Sequence, residues 1–343
     1  MRVRIESAGR LHLGFVDLHG GLGRRFGSIG VALNEPLLVL EAAPHDRLWV
    51  EGLERERTEA FARRFFERYA PYCGRDSWPC ARLRVLKAIP RHMGLGSGTQ
   101  LALATGVALA RLYALDISIA DIAETMERGQ RSGIGIGAFQ NGGFMVDGGR
   151  AMGNGHRSGR VPPLIFRQPF PEKWLFVVAI PQVRAGLSAG AELSAFRELA
   201  PPSSDAVLRI SRILLMKMLP SLVEEEIEPF GEAMTEIDRL VGDAFCSVQG
   251  GCYASAICGH LVDHMLEQGA YGAGQSSWGP AVYGLVSGKE QARSLAQAVH
   301  RFVAGKCETT VFYTSARNEG FRISTIIDQG CAESLTDCSP GQR

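Results

Sequence analysis

Pro90-Arg91-His92-Met93-Gly94-Leu95-Gly96-Ser97-Gly98-Thr99-Gln100 sets a glycine-rich turn between a strand pattern and an apolar helix. Upstream, Ala81, Leu83 and Val85 alternate with Arg82 and Arg84, the period of a half-buried strand. Downstream, Leu101 through Leu112 is apolar on most sides, which predicts a buried helix. Glycines allow positive φ and a close backbone approach, and the first N–H groups of a helix have no partner within it. Such a turn therefore converges donors on negative charge. Phosphate or diphosphate is the natural guest. A short glycine motif also serves simply to let strand and helix pack, so the turn alone leaves both readings open.

The surroundings narrow the choice. The chain has 343 residues, 45% of them apolar, enough for two lobes around separate or shared cores. Lys and Arg total 37 against 36 Asp and Glu, which gives no electrostatic reason to expect a nucleic acid or an anionic membrane as partner. No apolar run approaches the roughly 18 residues of a membrane helix, and Met1 to Ser7 reads as a charged, alternating strand in place of a signal peptide. A cytoplasmic enzyme is expected, with a homodimer as the commonest assembly for such a chain. The eight cysteines contain no C-x-x-C pair, which argues against a disulfide framework or a cysteine zinc site. Cys246, Cys252 and Cys258 read as small buried side chains.

Strands and helices alternate in the first half: strands at 2–7, 37–42 and 47–50, a helix over 54–69, then the strand and helix around the turn. Ser118-Ile-Ala-Asp121 has the pattern of a capping box. Gly142 to Gly149 reads as a strand entering an Asp-Gly turn. In the second half Trp174 to Ile180 suits a strand buried on both faces, and helices follow to about Glu267, broken at Pro220 and Pro229. A second glycine-rich loop, Tyr271 to Gly279, precedes a strand-helix-strand unit over 281–314. The expectation is an α+β fold of two lobes, residues 1–162 and 163–330, with a flexible tail over 331–343.

Three segments, Ser7-Ala-Gly-Arg10-Leu-His12-Leu-Gly14, Gly94 to Gln100, and Gly272-Ala-Gly-Gln-Ser-Ser-Trp-Gly279, resemble in order and spacing the motifs of the GHMP kinase superfamily. The resemblance implies a ribosomal S5-like N-terminal lobe and a ferredoxin-like C-terminal lobe, with the second motif around phosphates. It also brings out departures. Gly129-Gln-Arg-Ser-Gly-Ile-Gly135 fits the frame in which many members carry an acidic residue beside the transferred phosphate, but ends on Gly135. A residue without a side chain cannot accept an alcohol proton. Ser97-Gly98-Thr99-Gln100 stands where kinases usually have Ser-Ser-Ala-Ala.

Longer matches, Gly9 to Asp17, Gly94 to Gln100, Arg131 to Phe139 with Asp147-Gly148-Gly149, and Gly274 to Pro280, resemble one non-kinase branch, the beta-ribofuranosylaminobenzene 5'-phosphate synthases of tetrahydromethanopterin biosynthesis. The implied reaction joins 4-aminobenzoate to phosphoribosyl diphosphate, releases CO2 and diphosphate, and requires no ATP. Either 4-aminobenzoate or 4-hydroxybenzoate remains open as the acceptor. On this reading Gly94, Gly96, Ser97, Gly98, Thr99 and Gln100 cradle the leaving diphosphate. Arg10, His12 and Gln275 are the catalytic candidates. Arg131, Ser132, Ser276, Ser277 and Trp278 are the remaining substrate contacts, the arginine through a planar fork that matches carboxylate or phosphate. Mg2+ would bridge diphosphate oxygens, with Asp17 and Asp147 as candidate ligands; a turn role competes for Asp147. Arg24 and Arg25, after Gly20-Gly-Leu-Gly23, are placed to close over phosphates or to be a solvated loop. A small-molecule kinase is the competing activity, and a non-catalytic ligand-binding protein is the third.

Overall fold

The computed structural model describes residues 2–73, 80–152, 161–183 and 203–326. The expected tail over 331–343 and most of the glycine-rich lobe junction lie outside the described residues. The chain opens with two long antiparallel strands, β1 (Arg2–Asp17) and β2 (Arg24–Pro44). They absorb the shorter strands expected at 2–7 and 37–42, so the first motif lies on a strand. Register shifts at Ala8/Arg10 and His12/Gly14 interrupt the pairing on either side of Arg10 and His12. An irregularity of this kind re-aims neighbouring side chains.

β3 (Trp49–Gly52) runs parallel to β4 (Ala81–Lys87), which pairs with β2. β5 (Phe144–Asp147) pairs with β2 and with β7 (Leu164–Gln168), while β6 (Arg150–Ala151) also pairs with β2. The Asp-Gly turn after β5 thus joins two strands that share β2 as partner. A second sheet of four strands has the order β11-β8-β10-β9: β8 (Trp174–Pro181), β9 (Gly272–Gln275), β10 (Val282–Ser287) and β11 (Thr309–Ser315). The chain then returns, and β12 (Arg322–Ile326) closes the edge of the first sheet against β1. The expected division at 162/163 therefore does not coincide with the change of sheet. β7 and β12 both belong to the first sheet, and the second begins at Trp174.

The helices are α1 (Arg55–Tyr69), α2 (Ser97–Leu112), α3 (Ile119–Thr125), α4 (Ile134–Gln140), α5 (Ser204–Ile213), α6 (Leu219–Val223), α7 (Ile227–Gln249), α8 (Ala256–Glu267) and α9 (Gly288–Val303). The buried helix α2 packs on β1, β2 and α1, which fixes its N-terminus beside the middle of β1. Ser118 caps α3 as its sequence suggested, accepting the Asp121 N–H at 3.1 Å. Pro229 lies in the first turn of α7, where a missing N–H costs no helical bond, whereas Pro220 falls inside a helical run that passes from α5 through a π-helical stretch, Leu214–Met218, into α6, so the expected break is not at Pro220 and the run ends at Glu224. One apolar cluster runs from Ile5, Leu11 and Leu103 in the first lobe to Phe176, Phe230 and Tyr283 in the second. The lobes share a core. Cys258 is buried, but Cys252 is half-buried and Cys246 exposed, contrary to the expectation for all three. Among the described residues no helix is long and apolar enough to cross a membrane.

Candidate active site

The three glycine-rich motifs, far apart in sequence, are tied together by short polar contacts. The Arg10 N–H donates to Leu95 O at 3.1 Å, the Ser277 N–H to His12 O at 3.2 Å, and the Ala281 N–H to Met93 O at 3.2 Å. Ser276 Oγ accepts the His12 N–H at 2.9 Å and donates to Gly94 O at 2.6 Å. Arg10 Nη1 donates to the same carbonyl, which holds its guanidinium against the cradle. Gly94 has φ +77°, and a Cβ there would stand 2.2 Å from Ser276 O, so this junction requires glycine.

A cavity of about 410 Å3 opens where the motifs meet. That is ample for a sugar phosphate. Its floor is the start of α2, Gly96 to Thr99, and its walls carry Arg10, Arg57, Arg128 and Arg131. Among the described residues Glu127 is the one carboxylate lining the cavity, and it is paired with Arg64 at 2.8 Å. Arg57 is shared with Glu54 at 2.9 Å. Arg128 has no ion pair among the described residues and lies 5.0 Å over the Phe61 ring. Burial, followed by the charges of Arg57 and Arg64, lowers its pKa. The space over Gly98 is bounded by Arg57 Nη2, 3.0 Å from where a Cβ would stand, and Arg128 Nη1 at 3.7 Å. A chain of near-zero net charge has thus gathered cations around a helix N-terminus, an arrangement that calls for a polyanion.

His12 is almost wholly buried between Arg10 and Arg131. Burial first, then those two guanidinium charges, hold its pKa down at about 3, so the imidazole is neutral at neutral pH. Its Nε2 has no hydrogen-bond partner. The ring lies 4.6 Å from Phe15, and beyond Phe15 the Phe245 and Trp278 rings continue an aromatic wall, the last two 4.5 Å apart.

Gly135 lines the cavity beside Thr99. A Cβ there would meet Thr99 Cγ2 at 3.1 Å and Oγ1 at 3.3 Å. The two departures from the kinase pattern are therefore one packing feature. Gln100 is fully buried beneath it and donates from Nε2 to Gly135 O at 2.8 Å.

Of the residues expected from sequence, Arg10, His12, Gly94, Gly96, Ser97, Gly98, Thr99, Arg131, Ser132, Ser277 and Trp278 come together on this cavity. Five do not. Gln100 braces α2 against Gly135. Ser276 is buried in the motif junction. Gln275 accepts the Ala254 N–H at 2.8 Å and donates to Ser277 O at 3.1 Å, so its amide shapes the turn from behind and does not reach the cavity. Asp147 is buried and accepts from the backbone N–H groups of Gly133 at 2.7 Å, Gly149 at 2.9 Å and Ser28 at 3.2 Å. Asp17 accepts from His19 and Gly20, both at 2.7 Å. Both carboxylates organise turns, and the described residues contain no cluster of three or more ligating side chains. Both Asp147 oxygens are taken by backbone N–H groups, and Asp17, engaged through Oδ1 alone, is outside the cavity lining, so neither is placed to hold Mg2+ in the cavity. Arg24 is bound to the Gly148 and Gly149 carbonyls and Arg25 to Leu18 O, so neither guanidinium lines the cavity. Sequence reasoning missed Arg57 and Arg128. Arg128 adjoins Gly129 at the start of the third glycine stretch, which was a usable signal; for Arg57, on α1, none existed.

Fold and site together define a GHMP-kinase-type protein. The GHMP kinases N terminal domain model matches residues 58–143. The homoserine kinase of Cytophaga hutchinsonii has the same fold with a TM-score of 0.64 at 16% identity, over 94% of this chain and 97% of its own. Sequence carries the assignment further. A beta-ribofuranosylphenol 5'-phosphate synthase of Methanothermobacter thermautotrophicus is 35% identical over 92% of this chain and 97% of its own length. Another, from Archaeoglobus fulgidus, is 34% identical over 94% and 99%. The chain belongs to the beta-ribofuranosylphenol 5'-phosphate synthase family and is an enzyme of that branch.

Proposed function

We propose that the protein transfers the 5-phosphoribosyl group of phosphoribosyl diphosphate to the carboxylate-bearing ring carbon of a para-substituted benzoate, a step of tetrahydromethanopterin biosynthesis. The ring carbon bonds to the anomeric carbon as the anomeric C–O bond breaks, its electron pair leaving on diphosphate. The C–CO2 bond then breaks and returns its pair to the ring. No net proton is gained or lost. Such a reaction needs cations and neutral donors around the leaving group, with no general base.

The observation that carries this reading is the composition of the cavity. Four arginines and the α2 N-terminus surround it, the one carboxylate among its described lining residues is paired, and Thr99 packs against Gly135 where a kinase base would project. Arg128 and Arg57, over Gly98, are suited to the leaving diphosphate, whose developing charge they offset. Arg10 and Arg131 flank the neutral His12, which can donate to a phosphate or carboxylate oxygen without over-stabilising the carboxylate that must depart. The aromatic wall of Phe15 and Trp278 suits the ring of the acceptor. The relatives' name contains a phenol, whereas the motifs resemble an aminobenzene-forming branch. Both acceptors carry a lone-pair donor para to the attacked carbon, which the chemistry requires. A divalent cation accompanying the diphosphate would be held by diphosphate oxygens and water, with no cage of protein carboxylates.

The test is a turnover assay with carboxyl-labelled 4-aminobenzoate and 4-hydroxybenzoate plus phosphoribosyl diphosphate, with and without ATP. Labelled CO2 released in step with diphosphate, and unaffected by ATP, is the expected result. ATP consumed on adding small alcohols, with no CO2, would return the chain to the kinases.

A further inference from the structure

Behind the aromatic wall lies a second cavity of about 20 Å3, lined by His12, Phe15, Asp238, Phe245, Gln275 and Trp278 among others. It is large enough for one water molecule or one amino or hydroxyl group. His12, Phe15, Ser277 and Trp278 line both this space and the main cavity, so the two abut across one wall. Asp238, on α7, supplies its charge. Helix α7 packs on β9, and the carboxyl lies so close to Gly274 that a Cβ there would stand 2.6 Å from Asp238 Cγ. Oδ1 accepts the Gln275 N–H at 2.9 Å. Oδ2 is buried without a hydrogen bond. The Tyr253 hydroxyl approaches closely enough to lower the carboxyl's pKa, yet completes no well-formed bond to Oδ2, and the neighbouring Tyr283 hydroxyl is likewise unpartnered. Burial dominates and raises the carboxyl's pKa to about 7. The recess also holds Gln249, whose Nε2 is a buried donor without a partner, so the space keeps both an open acceptor and an open donor, and each is costly unless a polar group arrives.

We propose that Asp238 receives the para substituent of the aromatic acceptor, the ring entering edge-first between Phe15 and Trp278, which line both cavities, so that its amino or hydroxyl group reaches the small one. This rests on the functional reading above and deepens it. Attack through the ring carbon moves positive charge to the para nitrogen or oxygen, which makes its N–H or O–H a stronger donor. A carboxylate at that end strengthens its hydrogen bond as the charge develops, and stabilises the transition state more than the ground state. The proton stays on the substituent. Asp238 thereby selects acceptors with a para donor and activates them through the same contact.

Three benzoates of similar size separate the outcomes. Calorimetric titration of the full chain with 4-aminobenzoate, 4-hydroxybenzoate and 4-methylbenzoate should show the two donors binding about tenfold or more tighter than the methyl compound. In Asp238→Asn, which keeps the Gln275 contact but turns an amide donor on the recess, the ratio should fall to within about twofold while affinity for phosphoribosyl diphosphate is unchanged. Equal affinity for methyl and amino compounds in the unaltered protein overturns the proposal, whether or not the variant folds; so does an unchanged ratio in a folded variant. Turnover of 4-aminobenzoate is measured alongside. If it proceeds while selectivity is absent, the Asp238 proposal alone fails; if neither donor-bearing benzoate turns over, the functional reading fails and takes the proposal with it.

Discussion

Thr99 and Gly135 are in such close contact that the side chain at one limits what stands at the other. Gly135→Asp presses its Cβ against the Thr99 side chain and should cost about 1–3 kcal/mol, the usual range for overpacking. Adding Thr99→Ala should recover at least about 1 kcal/mol beyond additivity, because the two sites touch. Urea unfolding of both single variants and the double variant measures this coupling. His12 and Asp238 make an opposed pair in pH dependence. His12 falls from 6.5 unfolded to about 3 folded, so between those values the unfolded chain binds the extra proton and stability rises with pH. Asp238 climbs from 3.8 to about 7, so across that window the folded chain binds the extra proton and stability falls with pH. Their slopes largely cancel near pH 4–6.5. His12→Gln should unmask a decline in stability with rising pH relative to the unaltered protein, and Asp238→Asn an increase, each up to about 1.4 kcal/mol per pH unit. Urea midpoints collected at half-unit steps from pH 4.5 to 6.5 would show the two variants diverging in opposite directions; parallel curves would contradict the assignment.

The cradle shows how unequal glycines within one element can be. Gly94→Ala drives a Cβ into the Ser276 carbonyl at positive φ and should destabilise by about 2–4 kcal/mol, a class of backbone strain with no soft neighbour. Gly98→Ala meets only the tip of Arg57, which can swing aside. That variant should melt within a few degrees of the unaltered protein, yet raise KM for phosphoribosyl diphosphate by about tenfold through the displaced cation. Thermal melts and initial rates on both variants distinguish the two roles. The cradle, α1, α2, the α3 cap and the β10-α9-β11 unit were legible because each has a local signature of period, turn or cap. Arg57 was hidden because its approach to Gly98 depends on how α1 packs on α2, whereas Arg128 adjoins the glycine stretch at Gly129 and carried a local signal that sequence reasoning missed. Gln275, Ser276 and Asp147 are of polar types suited to a site, but the backbone groups that engage them come from distant segments: Ala254, Gly94 and His12, and Ser28 and Gly133.

At the scale of the molecule, β12 returning to β1 and one core crossing both lobes make the lobes interdependent. Equilibrium unfolding followed by tryptophan fluorescence and by far-ultraviolet circular dichroism should give one coincident transition. A fragment ending at residue 170 should fail to fold alone, since it lacks the strand that covers the β1 edge. Separated transitions would show lobes that fold independently. That pairing was invisible locally, because a strand's partner is not written in its own five residues. The same interdependence positions the candidate site, since α2 from the first lobe and the Ser276–Trp278 turn from the second meet on β1.

On the proposed function, this site forms a carbon–carbon bond to ribose. The most direct measurement uses phosphoribosyl diphosphate labelled with carbon-13 at the anomeric position and 4-aminobenzoate labelled at the carboxylate-bearing ring carbon, with the product examined by NMR. A one-bond coupling between the two labelled carbons, with the carboxylate gone, is the expected result. A product that keeps its carboxylate, with ribose on nitrogen or a phosphate transferred from ATP, would contradict it.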